Sequence, residues 1–137
     1  MNPKFRAWDK IQKKMGVVIS NNWMTGVANI IIDNKETLRQ EQDYILMKST
    51  GIKDKNGTEI FEGDIIDTTD YEGGLSSVGN PLVKVEHDKY GFVVTGDFPD
   101  SPITLKEFEA GRKFAGVEVI IAGNIYENPE LVEVIND

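Results

Sequence analysis

The chain is written in short apolar–polar alternations rather than long amphipathic turns. Phe5 and Ala7 alternate with Lys4, Arg6 and Trp8, and after a break at Asp9-Lys10 a second strand runs over Lys13–Ile19 through Met15, Val17 and Ile19. Side chains two apart share one face of a strand, so each run predicts a short strand. Val27–Ile32 predicts a third, Tyr44–Lys48 a fourth, and Glu59–Phe61 and Asp64–Ile66 two more. Leu82–His87 sets Leu82, Val83 and Val85 against Lys84 and Glu86, and Phe92–Thr95 returns from a turn at Asp88–Gly91. The most apolar run, Val117–Ala122, predicts a core strand that Gly123 ends. Helical signals are confined to two places. Leu105 and Phe108 stand at i and i+3 within Thr104–Glu109, and Pro129 suits the first position of a turn at Asn128–Leu131.

Turn residues punctuate this pattern. Asp54-Lys55-Asn56-Gly57 lies between β-prone residues, and Asn-Gly there predicts a type I′ hairpin with positive φ at both central positions. Gly63 marks a second sharp bend, where the chain passes from one group of strands to the next. Asn56, Gly57, Gly63 and Asp64 are therefore junction residues, dividing residues 1–62 from residues 63–137. Ser20–Asn22 and Thr25-Gly26 read as loop, with Trp23 between them as a lid on the core. Asp33–Lys35 is a turn, and Glu36–Asp43 is a polar loop or a single helical turn. Thr68–Asn80, rich in glycine and poor in apolar residues, predicts an exposed, mobile loop, and Ile135–Asp137 a frayed end. From Gly63 onward the order is strand, long loop, hairpin, helical turn, strand, which is how SH3-like barrels are laid out. The expected fold is mainly β: an N-terminal β-subdomain packed on a C-terminal SH3-like small barrel, with one or two short helical turns.

Four segments carry a family resemblance: PKFRAWD at Pro3–Asp9, TGIKDKNGTEIFEGDII at Thr50–Ile66, YGFVV at Tyr90–Val94, and GNIYENPELV at Gly123–Val132. Together they resemble the YopX family of phage and prophage proteins, and they reach both ends of the chain. The resemblance implies a small phage-borne protein without an assigned biochemical activity.

Composition narrows the remaining choices. At 137 residues the chain fits one domain or two small subdomains, and it has no cysteine for a disulfide, a thiol nucleophile or a thiolate metal site. No run approaches the about 20 apolar residues of a membrane span. MNPKFRAWDK lacks the apolar stretch of a signal peptide, so a soluble protein of the bacterial cytoplasm is expected. The net charge of −8 is uneven: Met1–Thr50 holds 8 basic and 5 acidic residues, and Gly51–Asp137 holds 7 basic and 18 acidic. Lys4, Arg6, Lys10, Lys13 and Lys14 form a local basic cluster, read either as solvated lysines on an exposed hairpin or as a surface that docks on the acidic part of a second copy. An overall acidic field argues against nucleic acid, since phosphate binding depends on neutralisation by Lys and Arg.

Catalytic constellations are missing from the pattern. His87 is the single histidine, beside Glu86 and Asp88, and Ser76, Ser77 and Ser101 sit in loose segments. An EF-hand loop placing Gly57 sixth would begin at Ile52 and put Gly63 twelfth, so its ligand positions fail at both ends. The expectation is a non-enzymatic accessory protein that needs no metal or cofactor, self-associates, and binds a host or phage protein. The alternative is a nucleic-acid-binding barrel using Tyr90 and Phe92 with Lys84 and Lys89.

Overall fold

Residues 4–69, 81–89, 91–98 and 100–136 are described by a computed structural model. Strands dominate them, in two antiparallel sheets, with two helices. The chain divides into two units, Met1–Ser49 and Thr50–Asp137, so the junction at Gly63 falls inside the second.

The first unit contains β1 (Phe5–Asp9), β2 (Lys14–Asn21), β3 (Ala28–Ile32), β4 (Lys35–Arg39) and the start of β5 (Tyr44–Lys53), in the order β4-β3-β2-β1-β5. Its core is the inward face of these alternations: Ala7, Ala28, Ile30, Ile32 and Tyr44, with Val18 and Leu46 packed on them. Ala7 stands opposite Gly16 across β1 and β2, and Gly16 carries no side chain because Ile30 fills the space above it. A Cβ on Gly16 would lie 2.8 Å from the Ile31 carbonyl oxygen. Ile32 pairs with Lys35 around Asp33 (φ 51°) and Asn34 (φ 66°), which makes this the two-residue hairpin with both central residues left-handed. The polar stretch after it is an edge strand, β4, followed by a single 3-10 turn at Glu41–Asp43. Alternation was invisible there because an edge strand with mostly exposed side chains needs no apolar face.

The second unit begins with the end of β5, beside β6 (Glu59–Phe61). Next come β7 (Asp64–Asp67), β8 (Leu82–Asp88), β9 (Gly91–Gly96), β10 (Ile103–Thr104), α1 (Leu105–Ala115), β11 (Ile120–Asn124) and α2 (Pro129–Asn136). The five-stranded sheet runs β10-β9-β8-β7-β11 and does not close among the described residues, leaving β10 and β11 as its edges. Its core joins Ile60, Ile66, Val83, Val85, Val94 and Val119 to Leu105 and Phe108 of α1.

Leu105 and Phe108 face inward as their spacing predicts, but α1 has 11 residues and runs on to Ala115, beyond the expected end at Glu109. Thr104 caps its start, accepting from the Glu107 amide at 3.1 Å. What stops it is Gly116 at φ 68°, whose amide donates to Lys113 and whose successor Val117 donates to Arg112. β11 starts later than Val117 because the Val119 carbonyl accepts from the Lys55 amide, outside the sheet. It also passes through Gly123 rather than ending there. Pro129 does open a helix, and Ile135 is buried in it rather than frayed. The loop expected at Thr68–Asn80 lies outside the described residues except Thr68 and Thr69. Thr68 is fully buried, donating both its amide (2.9 Å) and its hydroxyl (2.6 Å) to the Pro81 carbonyl, so exposure fails at that residue.

Candidate functional site

The two longest signature segments meet in the second unit, and backbone chemistry joins them. Asp54, 8% exposed, accepts from the Asn56 and Thr58 amides through Oδ1, each at 2.9 Å, and from the Ile121 amide through Oδ2 at 3.0 Å. Beside it, Lys55 donates its amide to the Val119 carbonyl at 2.9 Å. The hairpin tip is thereby fastened to the start of β11. Gly57 has φ 80° and donates to the Asp54 carbonyl at 3.0 Å, but Asn56 does not have positive φ. The hairpin is therefore a three-residue loop closed by a left-handed glycine, not the type I′ turn expected at Asn56-Gly57. The Asp54 carboxylate decides this by holding two tip amides at once.

Gly63 is left-handed at φ 89°, as the bend requires. Its amide donates to Val85 at 2.7 Å and its carbonyl accepts from Ile125 at 2.9 Å, tying β7 to two neighbours. Asp64 is buried and accepts from the Phe61 amide at 2.8 Å. In the last segment, Asn124 Oδ1 accepts from the Tyr126 and Glu127 amides, and Asn128 Oδ1 accepts from the Asn124 amide at 3.1 Å. Gly123 is needed because a Cβ there would lie 2.7 Å from Asn128 Cγ. Asn56, Gly57, Gly63 and Asp64 thus serve one knot of turns, together with Asp54, Asn124 and Asn128. Asp54 escaped sequence reasoning because its third partner, Ile121, is 67 residues away.

The first unit has its own anchored carboxylate. Asp9 is fully buried, and Arg39 meets it side-on, Nε to Oδ1 at 2.8 Å and Nη2 to Oδ2 at 3.2 Å. The Ile11 and Gln12 amides donate to the same carboxylate. Burial alone would raise the Asp9 pKa, but the Arg39 bond, the two amides and the Arg39 charge together hold it below the ordinary carboxylate value. Burial, with Glu41 nearby, raises the Tyr44 hydroxyl above its usual value, an Asn21 hydrogen bond opposing.

The basic residues are spread along this unit. Lys4 and Lys10 flank opposite ends of β1, about 20 Å apart at the rise of a strand. Lys10 Nζ donates to the Gln42 carbonyl, and Lys14 pairs with Asp33. Arg6 lies on β1, and Lys13 occupies the turn at φ 57°. Phe92 is half-buried against the second unit's core, edge-on to His87 at 4.9 Å, and Lys84 pairs with Glu86. Tyr90 lies outside the described residues. Among the described residues, no group of three His, Cys, Asp or Glu is placed to hold a metal ion. No helix among them is long and apolar enough to cross a membrane.

Two surfaces stand out among the described residues. In the turn joining β2 to β3, Trp23 is 75% exposed and Met24 96%, so Trp23 is not the lid its setting predicted. Asn22 Oδ1 accepts from the Met24 and Thr25 amides, the Gly26 amide donates to the Asn22 carbonyl at 2.7 Å, and Tyr44 donates its hydroxyl to Gly26. Those bonds fix the turn's backbone and leave both apolar side chains facing water. In the second unit, an open groove of about 760 Å³ runs along α1, its apolar lining Ile52, Phe92, Leu105 and Ala110, with Lys106 and Lys113 among its polar residues.

The YopX protein family model matches residues 4–133. A solved structure, protein EF1440 from Enterococcus faecalis, is similar at 28% identity and TM-score 0.63, over 96% of this chain and 99% of that one. No curated protein matches. Neither of these two descriptions names an activity.

Proposed function

Because this chain belongs to the YopX family, we propose that it is a non-enzymatic phage or prophage accessory protein that self-associates and binds a host or phage protein. The observation carrying this reading is the braced turn that holds Trp23 and Met24 out in water. Exposed apolar groups this large cost solvation free energy, and tryptophan is the residue most often found at the energetic centre of interfaces. The non-enzymatic part is supported by how the buried carboxylates are spent: Asp9, Asp54 and Asp64 all accept backbone amides. The phage origin and a bacterial cytoplasmic location rest on the family resemblance. An SH3-like reading of the second unit is supported by its strand order, β11-β7-β8-β9-β10, with α1 before the last strand.

Light scattering at 0.1 M and 1 M salt tests self-association, because the Debye length falls from about 10 Å to about 3 Å between them. An oligomer held mainly by apolar contact persists at 1 M, and that is the expected result. A mass of one chain at both salts refutes self-association. Dissociation only at 1 M shows that charge, not apolar contact, holds the copies together.

A further inference from the structure

We propose that the Trp23–Met24 turn of one copy docks in the α1 groove of a second copy; the inference rests on the self-association reading and specifies its contact. Both halves are built in advance. The turn is fixed by its own hydrogen bonds, so ordering it on binding costs little conformational entropy. The groove, about 760 Å³, is open to solvent along one side, so an apolar group can enter it without the helix moving. Its apolar lining, Ile52, Phe92, Leu105 and Ala110, matches an indole and a thioether in chemistry, and Met24 adapts to irregular apolar walls.

Charge selects a second copy as the occupant. The turn belongs to the unit with 8 basic and 5 acidic residues, and the groove to the unit with 7 basic and 18 acidic. Opposite net charges draw unlike units of two copies together and keep like units apart. Lys106 and Lys113, among the groove's polar residues, run against this bias locally, yet suit the ligand: an ammonium over an indole face is attracted by the ring. Glu109, the acid beside them, is already held by Arg112 at 2.7 Å. The contact joins two different surfaces, so each copy has one of each to offer.

The test uses full-length chains and light scattering at the highest soluble concentration. Trp23→Ser combined with Met24→Ser removes the knob, and Ala110→Arg fills the groove. All three positions are exposed, so unchanged thermal melting is expected of both variants. Each variant alone falls to the mass of one chain. Mixed one to one, they recover a twofold mass, since the groove-filled copy still offers a turn and the knobless copy still offers a groove. Oligomers that persist in both variants overturn this contact while leaving self-association standing. Monomeric variants whose mixture stays monomeric overturn the pairing of these two surfaces. A wild-type monomer at both salts overturns the contact together with self-association, and the turn then serves a different partner.

Discussion

Asp54→Asn separates the two jobs of the carboxylate that ties the hairpin to β11. In the native protein, Oδ1 holds the Asn56 and Thr58 amides and Oδ2 holds the Ile121 amide. An asparagine has one acceptor oxygen, so whichever way its amide is turned, an NH2 group faces a backbone N–H. With the oxygen toward the hairpin, the tip survives and the Ile121 amide loses its partner. A hydrogen bond to a charged group contributes about 1.5–3 kcal/mol, and a donor left unpaired in a buried position costs about 1–3 kcal/mol. The expected loss for Asp54→Asn is therefore about 2 kcal/mol. Asp54→Ala removes the tip bonds as well, but Asn56 and Thr58 are exposed and their amides regain water, so each adds only about 0.5 kcal/mol. That gives about 3 kcal/mol, or a fall of roughly 12–24 °C in melting temperature for a unit of this size. The assays are urea unfolding by far-UV circular dichroism and hydrogen exchange at Ile121. In Asp54→Asn, Ile121 exchange should accelerate while Thr58 stays protected. Equal exchange at Ile121 in wild type and Asp54→Asn, or a loss below about 0.5 kcal/mol in both variants, would show that this tie carries no stability.

Arg39→Ala leaves the Asp9 carboxylate buried without its cation and should cost about 3–5 kcal/mol, measured by denaturant unfolding. Because Asp9 has a depressed folded pKa, its stabilisation is complete above the unfolded value of about 3.9 and is lost as pH falls through the folded one. Stability should therefore drop below about pH 4, and an unchanged acid slope in Asp9→Asn refutes the assignment. Tyr44 is raised, so its contribution is full below the unfolded value of about 10 and fades as pH climbs through the folded one; Tyr44→Phe should flatten that alkaline loss. Gly57→Val should cost about 1 kcal/mol from backbone strain alone, since nothing lies within 4 Å of its Cβ position. Gly16→Ala should cost about 1–3 kcal/mol or more, because the methyl meets the Ile31 backbone; melting curves that rank Gly57→Val as the worse of the two overturn this ordering.

Period-two alternation by itself determined that this chain is mainly β, because a half-buried strand must separate its faces residue by residue. It also marked Leu105 and Phe108 as core residues and Gly57 and Gly63 as left-handed, since local sterics alone confine those conformations. Where one face was not required, the sequence was silent. β4 is an edge strand with exposed side chains and read as polar loop, and α1 ran on because its stop, Gly116, acts through capping bonds rather than periodicity. The type I′ geometry belonged to Asp33-Asn34, whereas Asn56-Gly57 took another turn under the hold of Asp54. The candidate site divided in the same way. Junction glycines were legible from their turns, but the bonds that give the junction its purpose link Asp54 to Ile121 and Gly63 to Ile125. Such partners are set by how strands stack after the chain has doubled back, and no spacing along the sequence encodes them. Trp23 makes the same point from the surface. A tryptophan between turn residues can cap a core or face water, and only the bonds that fix the turn decided that it faces water.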